Sequence, residues 1–351
     1  MFAQSSPPAS PTLAIIIVSW NVRELLRRCL HSVADSLAGG NLAYEIIVVD
    51  NASGDGTPQM LRAEFPKVRL IESGANLGFA AGNNRALRCV LQIADCRLQI
   101  DSEQSTVPDY VLLLNPDTEV IGDAILRLVA ELESHPEVVV VGPRLRYGDG
   151  SVQSSRRRFP TRAEMLWEST LLERLWPHNP WVRRYRCADQ PDDPAQPVGW
   201  LVGAALLVRT TAIMRAGLLD ERFFMYSEEL EWQYRLWIAD CGLPIGARQS
   251  TIHNPQSTIT YVPEAEIIHY EGKSSEQAIT RRHVTFQRSK LLLARMWYGW
   301  RFAGLLRIAL RLGYAYEIIA EGIKLMLGHR PALRRQRIAV YREVLRDLNR
   351  T

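Results

Sequence analysis

Short apolar runs alternate with amphipathic stretches through residues 1–146 of the 351-residue chain. Residues 22–37 have the spacing of a helix, and Thr57-Pro58 indicates that another helix begins with Thr57 as its N-cap. Strands that alternate with helices predict an α/β domain with a mostly parallel sheet. The apolar runs that predict its buried strands are residues 13–19, 44–49, 68–71 and 110–114.

Polar segments follow these strands at the point where each one ends. Ligands of open α/β sheets bind outside the carboxyl ends of the strands. A carboxylate in that place, such as Asp117, suits a divalent cation, and such a cation suits a diphosphate. A set of ordinary strand–helix turns is the simpler alternative. The segments are Ser19-Trp20-Asn21, residues 50–57, residues 76–84 and Asn115-Pro116-Asp117.

Residues 121–201 are less regular. We expect a helix over residues 121–133 and a buried strand over residues 138–141, followed by a mobile polar loop over residues 147–160. Residues 163–176 predict a helix. Residues 177–197 are proline-rich, and they are interpreted either as a loop that covers a substrate or as a disordered segment.

Carboxylates and glycines mark the rest of the candidate site. Gly199 and Gly203 bracket an apolar stretch, which either lets backbone approach a ligand or packs as a strand. Three glutamates from Glu228 onward begin a predicted helix that runs to about residue 239, where they also favour the helix dipole. Residues 261–275 predict a short strand and a polar turn that contains His269.

Taken together and in this order, these segments resemble family-2 glycosyltransferases, and within them the bacterial rhamnosyltransferase-like branch. The resemblance implies the A-type glycosyltransferase fold, a mostly parallel sheet flanked by helices with a helical C-terminal appendage. It implies a catalytic domain over residues 12–275, divided at residue 146 into a nucleotide-binding half and an acceptor half. The Ser, Pro and Ala content of residues 1–11 separately indicates a disordered leader. The segments that carry it are residues 18–21, 48–57, 76–80, 114–117 and 223–229.

The resemblance also implies an activity: inverting, metal-dependent transfer of a sugar from a nucleotide-diphosphate donor. For this branch the expected reaction moves rhamnose from dTDP-rhamnose to a saccharide or polyprenyl-linked acceptor of a cell-surface polysaccharide. The expected cofactor is Mg²⁺ or Mn²⁺, and the expected location is the inner face of the cell membrane.

Candidate site residues follow by position. Glu229 takes the role of the base, with Glu228 as a possible substitute, because this chain has Glu where the family has Asp. Asp117 and His269 would hold the metal, and Lys273 and Ser274 could face the diphosphate. Trp200 and Gly203 would line the sugar and acceptor pocket. The donor would contact Ser19, Asp50, Asn76, Gly78, Asn83 and Asn115.

Two other functions fit parts of the pattern. A non-catalytic protein could bind a sugar nucleotide on the same fold, although carboxylates at positions 117 and 229 argue for catalysis. A nucleotidyltransferase would need a glycine-rich loop with Lys or Arg after the first strand, where Ser19-Trp20-Asn21 stands instead.

Composition bears on the partners and the compartment of the protein and says little about its reaction. The formal net charge of +4 is too weak to indicate nucleic-acid binding. Five scattered cysteines without CxxC or zinc spacing fit a reducing compartment. Residues 1–12 lack the basic and apolar regions of a signal peptide.

The C-terminal region, residues 276–351, has a different pattern. Residues 286–327 are rich in Leu, Trp and Tyr with interspersed Arg, which predicts amphipathic helix. The charges are too frequent for a membrane-spanning helix. Two interpretations stay open: a helix that lies in the membrane interface, or a helix packed on the catalytic domain.

Overall fold

The computed structural model describes residues 12–93, 107–177, 179–241, 258–272 and 279–350. The expected disordered leader lies outside these ranges. The strands are β1 (Leu13–Ser19), β2 (Tyr44–Asp50), β3 (Arg69–Glu72), β4 (Tyr110–Leu114), β5 (Thr118–Val120), β6 (Val140–Arg146), β7 (Val152–Gln153), β8 (Arg156–Arg157), β9 (Gln196–Pro197), β10 (Trp200–Leu201), β11 (Ala205–Arg209) and β12 (Ile259–His269). The helices are α1 (Arg23–Leu37), α2 (Thr57–Glu64), α3 (Gly78–Val90), α4 (Ala124–Ser134), α5 (Arg162–Trp167), α6 (Leu172–Leu175), α7 (Pro180–Tyr185), α8 (Thr210–Ala216), α9 (Glu228–Asp240), α10 (Ile279–Tyr298), α11 (Trp300–Met326) and α12 (Pro331–Arg350).

One twisted sheet organises the molecule, with its main strands in the order β3-β2-β1-β4-β11-β6-β12-β5. The first four strands are parallel to one another. β11 runs antiparallel to both β4 and β6, whereas β12 is parallel to β6 and antiparallel to β5. The predicted mostly parallel sheet with flanking helices is confirmed.

Both faces of the sheet are buried, which explains why its strands are almost entirely apolar. Along β1, Ile15 and Ile17 pack on one face with α1 and α4, while Ile16 packs on the other face with α3, α8 and α9. Leu30 of α1 and Trp232 of α9 are among the side chains that cover the two faces.

The order of the strands creates a crevice at one place. After β1 the chain builds β2 and β3 on one side, and it then returns to place β4 on the other side of β1. The polar turns after β1 and β4 therefore meet at the carboxyl ends of these two strands, where ligands of open α/β sheets bind.

Several sequence-based expectations needed correction. The segment 147–160, expected to be a mobile loop, contains β7 and β8, and residues 177–197 contain α7. The helix expected over 163–176 is split into α5 and α6. The cap of α2 is Gly56 at φ 85°, because the Thr57 hydroxyl donates to Asp55 Oδ1 at 2.6 Å instead of capping the helix.

The C-terminal helices α10, α11 and α12 pack on the rest of the molecule. Leu293 and Leu306 share a core with Trp200, Phe223 and Leu230. One face of these helices is therefore packed on the catalytic part, as one of the two interpretations predicted. Residues 279–350 share a core with that part. Among the described helices, none combines the length and the apolar character that crossing a bilayer requires.

The structure describes four of the five cysteines. Cys29, Cys187 and Cys241 are free, whereas Cys89 is disulfide-bonded.

Candidate active site

A cleft of about 880 Å³ lies at the carboxyl ends of β1 and β4. The turns after β1, β2 and β4 contribute to its lining, together with the loop before α9, the end of β12 and the first part of α10. Polar residues that are far apart in the sequence, from Ser19 to Gln287, therefore face one space.

Ser19, Asn51, Asn76 and Gly78 form the part of the lining that follows β1, β2 and β3. Asn51 Nδ2 donates to Gly78 O at 3.0 Å, and Gly78 N donates to Asn76 Oδ1 at 3.0 Å. Within the described ranges, Ser19 Oγ and Asn51 Oδ1 are buried without a hydrogen-bond partner. Since buried polar atoms are normally paired, these two atoms are available to a ligand.

Two residues predicted to contact the donor are not on the cleft wall. Asp50 is buried and accepts a hydrogen bond from Ser53 N at 3.0 Å, and Asn83 donates to Phe79 O at 2.9 Å. The residue after Asp50, Asn51, lines the cleft instead. Successive side chains at a strand end point to opposite sides, which is the signal that the sequence analysis missed.

Asp117 and His269 meet inside the cleft. Asp117 Oδ1 lies 3.5 Å from His269 Nε2, and both residues are 5% exposed. Asn115 Nδ2 lies 3.4 Å from the same ring nitrogen. The other ring nitrogen, Nδ1, lies 3.0 Å from Gln153 Oε1.

Hydrogen bonds around Gln153 select the tautomer of His269. Glu271 Oε2 can only accept, so Gln153 donates to it with Nε2 at 2.9 Å. Gln153 Oε1 is then left to accept from His269 Nδ1, which places the ring proton there and directs the lone pair of Nε2 toward Asn115 and Asp117. Gln153 lies in β7, within the predicted loop, and no sequence pattern singled it out.

Asp117 and His269 provide some of the ligands that a small divalent cation needs, but not all of them. No group of three or more His, Cys, Asp or Glu side chains suited to a metal occurs in the described ranges. Asp117 and His269 provide one carboxylate and one unprotonated imidazole nitrogen, and Mg²⁺ is commonly bound by one or two protein groups together with substrate phosphates. Lys273 and Ser274 lie outside the described residues.

Glu228 and Glu229 begin α9 and line the cleft. Burial raises the pKa of Glu228 well above its ordinary value, and the negative charge of Glu229 raises it further. Burial also raises the pKa of Glu229. The two carboxyl groups also disfavour each other's ionisation, so the pair releases its two protons in separate steps.

The backbone before these glutamates is strained. Tyr226 and Ser227 have φ values of 71° and 68°, which non-glycine residues rarely adopt. Such positions cost about 1–3 kcal/mol each and concentrate at functional sites.

The glutamate loop is tied to the start of α3. Phe79 N donates to Phe224 O at 2.8 Å. Next to it, Gly78 has a φ of 82°, and a Cβ at this position would lie 2.1 Å from Phe224 O. Only glycine allows the two segments to approach this closely.

Gly203 and Trp200, which were predicted together, occupy different places. Gly203 lines the cleft, and a Cβ there would lie 3.1 Å from Glu229 Cβ. Trp200 is 8% exposed, donates to Arg158 O at 3.1 Å and packs in the core beneath the C-terminal helices.

The C-terminal helices supply a wall of the cleft that sequence reasoning missed. Arg281, Arg282 and Gln287 of α10 line it together with Tyr314 of α11. Gln287 Nε2 donates to the Tyr314 hydroxyl at 3.0 Å, and the Arg281 guanidinium lies 4.6 Å from the centroid of the Phe224 ring. The only sequence signal was the density of basic residues there.

Comparison with known families agrees with this geometry. The family described as glycosyl transferase family 2 matches residues 14–189. The chain is 33% identical over 269 residues to N-acetylglucosaminyl-diphospho-decaprenol L-rhamnosyltransferase of Mycobacterium tuberculosis, a match that covers 75% of this chain and 77% of that protein. It belongs to glycosyl transferase family 2. The protein is therefore a glycosyltransferase, as the resemblance implied.

Two further similarities are consistent with the family. Rhamnosyltransferase WbbL of Escherichia coli K12 is 25% identical over 257 residues, which is 73% of this chain and 82% of WbbL. The structure of GalNAc-T7 with UDP, GalNAc and Mn²⁺ aligns with a TM-score of 0.52 at 14% identity, over 90% of this chain and 51% of that one. This last similarity confirms the fold alone.

Proposed function

We propose that this family-2 member is an inverting, metal-dependent rhamnosyltransferase that moves rhamnose from dTDP-rhamnose to a lipid-linked saccharide at a membrane surface. The observation that carries the proposal is the cleft itself, where the carboxylate pair of α9 faces the same space as Asp117 and His269. The rhamnosyltransferases among its relatives support the choice of sugar.

Residues 12–146 would bind the donor. Ser19 and Asn51 have unpaired buried oxygens that can accept from the nucleotide, and Asn76 holds the backbone of Gly78 in position. Asp50 and Asn83 would support this wall from behind, since both are buried and bonded to backbone groups.

Asp117 and His269 would hold Mg²⁺ or Mn²⁺ with the donor diphosphate, and Asn115 would contribute at most a weak carbonyl ligand. A bound cation would stabilise the negative charge on the departing nucleotide diphosphate. Gln153 and Glu271 would keep the Nε2 lone pair of His269 directed at this position, as partners of metal-binding histidines commonly do.

Glu229 would remove the proton from the acceptor hydroxyl, which then attacks the anomeric carbon from the face opposite the nucleotide. The raised pKa of Glu229 supports this assignment, because a general base works best when its pKa lies near the operating pH. A single displacement of this kind inverts the anomeric configuration. The family's Asp is replaced by Glu here, and Gly203 leaves room for the longer side chain.

The acceptor would be a saccharide linked to a lipid diphosphate. The name of the mycobacterial relative includes a compound of this class, N-acetylglucosaminyl-diphospho-decaprenol. Arg281 and Arg282 line the cleft and carry the positive charge that such a diphosphate needs. The alternative of a non-catalytic sugar-nucleotide-binding protein is disfavoured by the transferases among its relatives.

A donor panel tests the proposal. Purified protein is incubated with Mn²⁺, a water-soluble analogue of N-acetylglucosaminyl diphosphate lipid and each nucleotide sugar in turn, and the product is weighed by mass spectrometry. We expect transfer from dTDP-rhamnose, its loss on chelation, and its loss in Asp117→Asn with the fold retained by circular dichroism. Transfer that is insensitive to chelation and to Asp117→Asn would show that the metal assignment is wrong, and transfer of another sugar alone would refute the donor assignment.

A further inference from the structure

An apolar stripe runs along the outer face of α11. Seven side chains form it, and each is 47–80% exposed. At 100° per residue they fall within an arc of about 80°, and they extend for roughly 32 Å along the helix. This is a large continuous apolar surface to leave in contact with water. The stripe consists of Leu305, Ile308, Leu312, Tyr316, Ile319, Ile323 and Met326.

The stripe is separate from the face by which α11 packs on the protein. Phe302, Leu306 and Leu310 point into the core shared with the catalytic part, on a face centred about 120° around the helix from the stripe. Tyr314 of the same helix lines the cleft. α11 is therefore apolar on two faces, of which the described structure covers only one.

The charge of the C-terminal helices is strongly positive. Residues 279–350 contain sixteen Lys and Arg against four Asp and Glu, an excess of twelve positive charges, although the whole chain carries only +4. Acids of the region pair with its own arginines, since Glu321 bonds Arg334, Glu343 bonds Arg346 and Asp347 bonds Arg288, but sixteen cations outnumber four acids. Most of the positive charge is therefore left without an acidic partner inside this region.

We propose that the stripe docks the enzyme on an anionic lipid bilayer, with the α11 side chains in the acyl–headgroup boundary and the surrounding arginines on the headgroups. An apolar helix face with flanking basic residues has the chemistry of an interfacial helix. Exposed Trp300 and Arg301 at the start of α11 suit the headgroup level. A second copy of the chain is a poorer occupant, because pairing two stripes would bring two regions with twelve excess positive charges together.

Docking would hold the cleft about one helix diameter, roughly 10 Å, from the headgroups, since Tyr314 lines the cleft from the side of α11 that faces away from the stripe. This consequence rests on the proposed lipid-linked acceptor, whereas the docking itself rests on the stripe and the charge. The two can fail separately, because vesicle binding requires no substrate and transfer to a water-soluble acceptor requires no membrane.

Vesicle flotation with the full-length protein tests the docking. We expect binding to phosphatidylcholine vesicles that contain phosphatidylglycerol, weaker binding as NaCl is raised, and little binding to phosphatidylcholine alone. The double variant Leu312→Ser/Ile319→Ser should reduce the partition coefficient about tenfold or more, because two inserted apolar side chains are lost.

The matched control is Ile121→Ser/Met214→Ser, which changes two exposed apolar residues on other elements and should bind as the unmodified protein does. Both variants should transfer sugar to a water-soluble acceptor at the unmodified rate. Docking is refuted if the full-length protein stays unbound at low salt or if Leu312→Ser/Ile319→Ser binds normally. A dimer in sedimentation that this variant dissociates would refute it too, by assigning the stripe to a second copy.

Discussion

Glu228 and Glu229 are adjacent carboxyl groups in a buried first helical turn, and the second negative charge is harder to place there than the first. The raised pKa of Glu229 means that its protonated fraction persists at higher pH than for an ordinary glutamate, whose pKa is 4.5. A base must be ionised, so transfer should fall as the pH falls through this raised pKa. A neutral Gln at position 228 leaves the Glu229 carboxylate in place.

We therefore expect Glu229→Gln to lose transfer by about 10²–10⁴-fold while it still binds donor. Glu228→Gln should keep most of the rate and leave the acid limb of the pH–rate profile where it is. The measurement is kcat/KM for a soluble acceptor from pH 5 to 9 in both variants. A larger loss in Glu228→Gln, or a shift of its acid limb, would move the base to Glu228.

At the scale of elements, α3 approaches the loop before α9 so closely that only glycine fits at position 78. The methyl group of an alanine at position 78 would have to displace Phe224 O. The backbone of that alanine would also have to keep an unfavourable positive φ. Gly78→Ala should therefore destabilise the fold by about 1–3 kcal/mol and raise the donor KM. Gly54→Ala is the control, because a Cβ at Gly54 meets nothing within 4 Å. Equal donor KM and equal denaturation midpoints in the two variants would contradict this contact.

The elements differ in how far sequence could predict them. β1 and β4 are buried on both faces, so their apolar runs identified them directly. β7 and β8 are two residues long and depend on pairing with distant strands, which no local pattern encodes. For that reason Gln153 was missed, whereas Asp117 and Glu229, which follow or begin regular elements, were candidates that local sequence patterns could supply. Trp200 was predicted to line the pocket but lies in the core. An aromatic residue next to a glycine is compatible with either place, so the sequence does not distinguish them.

At the scale of the whole molecule, the C-terminal helices share one core with the catalytic part. Leu306→Ala should cost about 2–5 kcal/mol of the free energy of unfolding. It should also shift a single transition in which far-UV circular dichroism and tryptophan fluorescence coincide. Leu312→Ala on the same helix should change the free energy of unfolding by less than about 0.5 kcal/mol, because its side chain is 68% exposed. An earlier, separate transition of the C-terminal helices would show that they fold as an independent unit.

The hydrogen bond from Phe79 N to Phe224 O joins the segment that would hold the nucleotide to the segment that carries Glu229. Linkage between two binding events is reciprocal. A nucleotide that orders residues 76–79 would therefore also narrow the positions open to Glu229, and an acceptor held by Glu229 would tighten the nucleotide by the same factor. The donor and the acceptor should therefore bind cooperatively, each lowering the Kd of the other by the same factor.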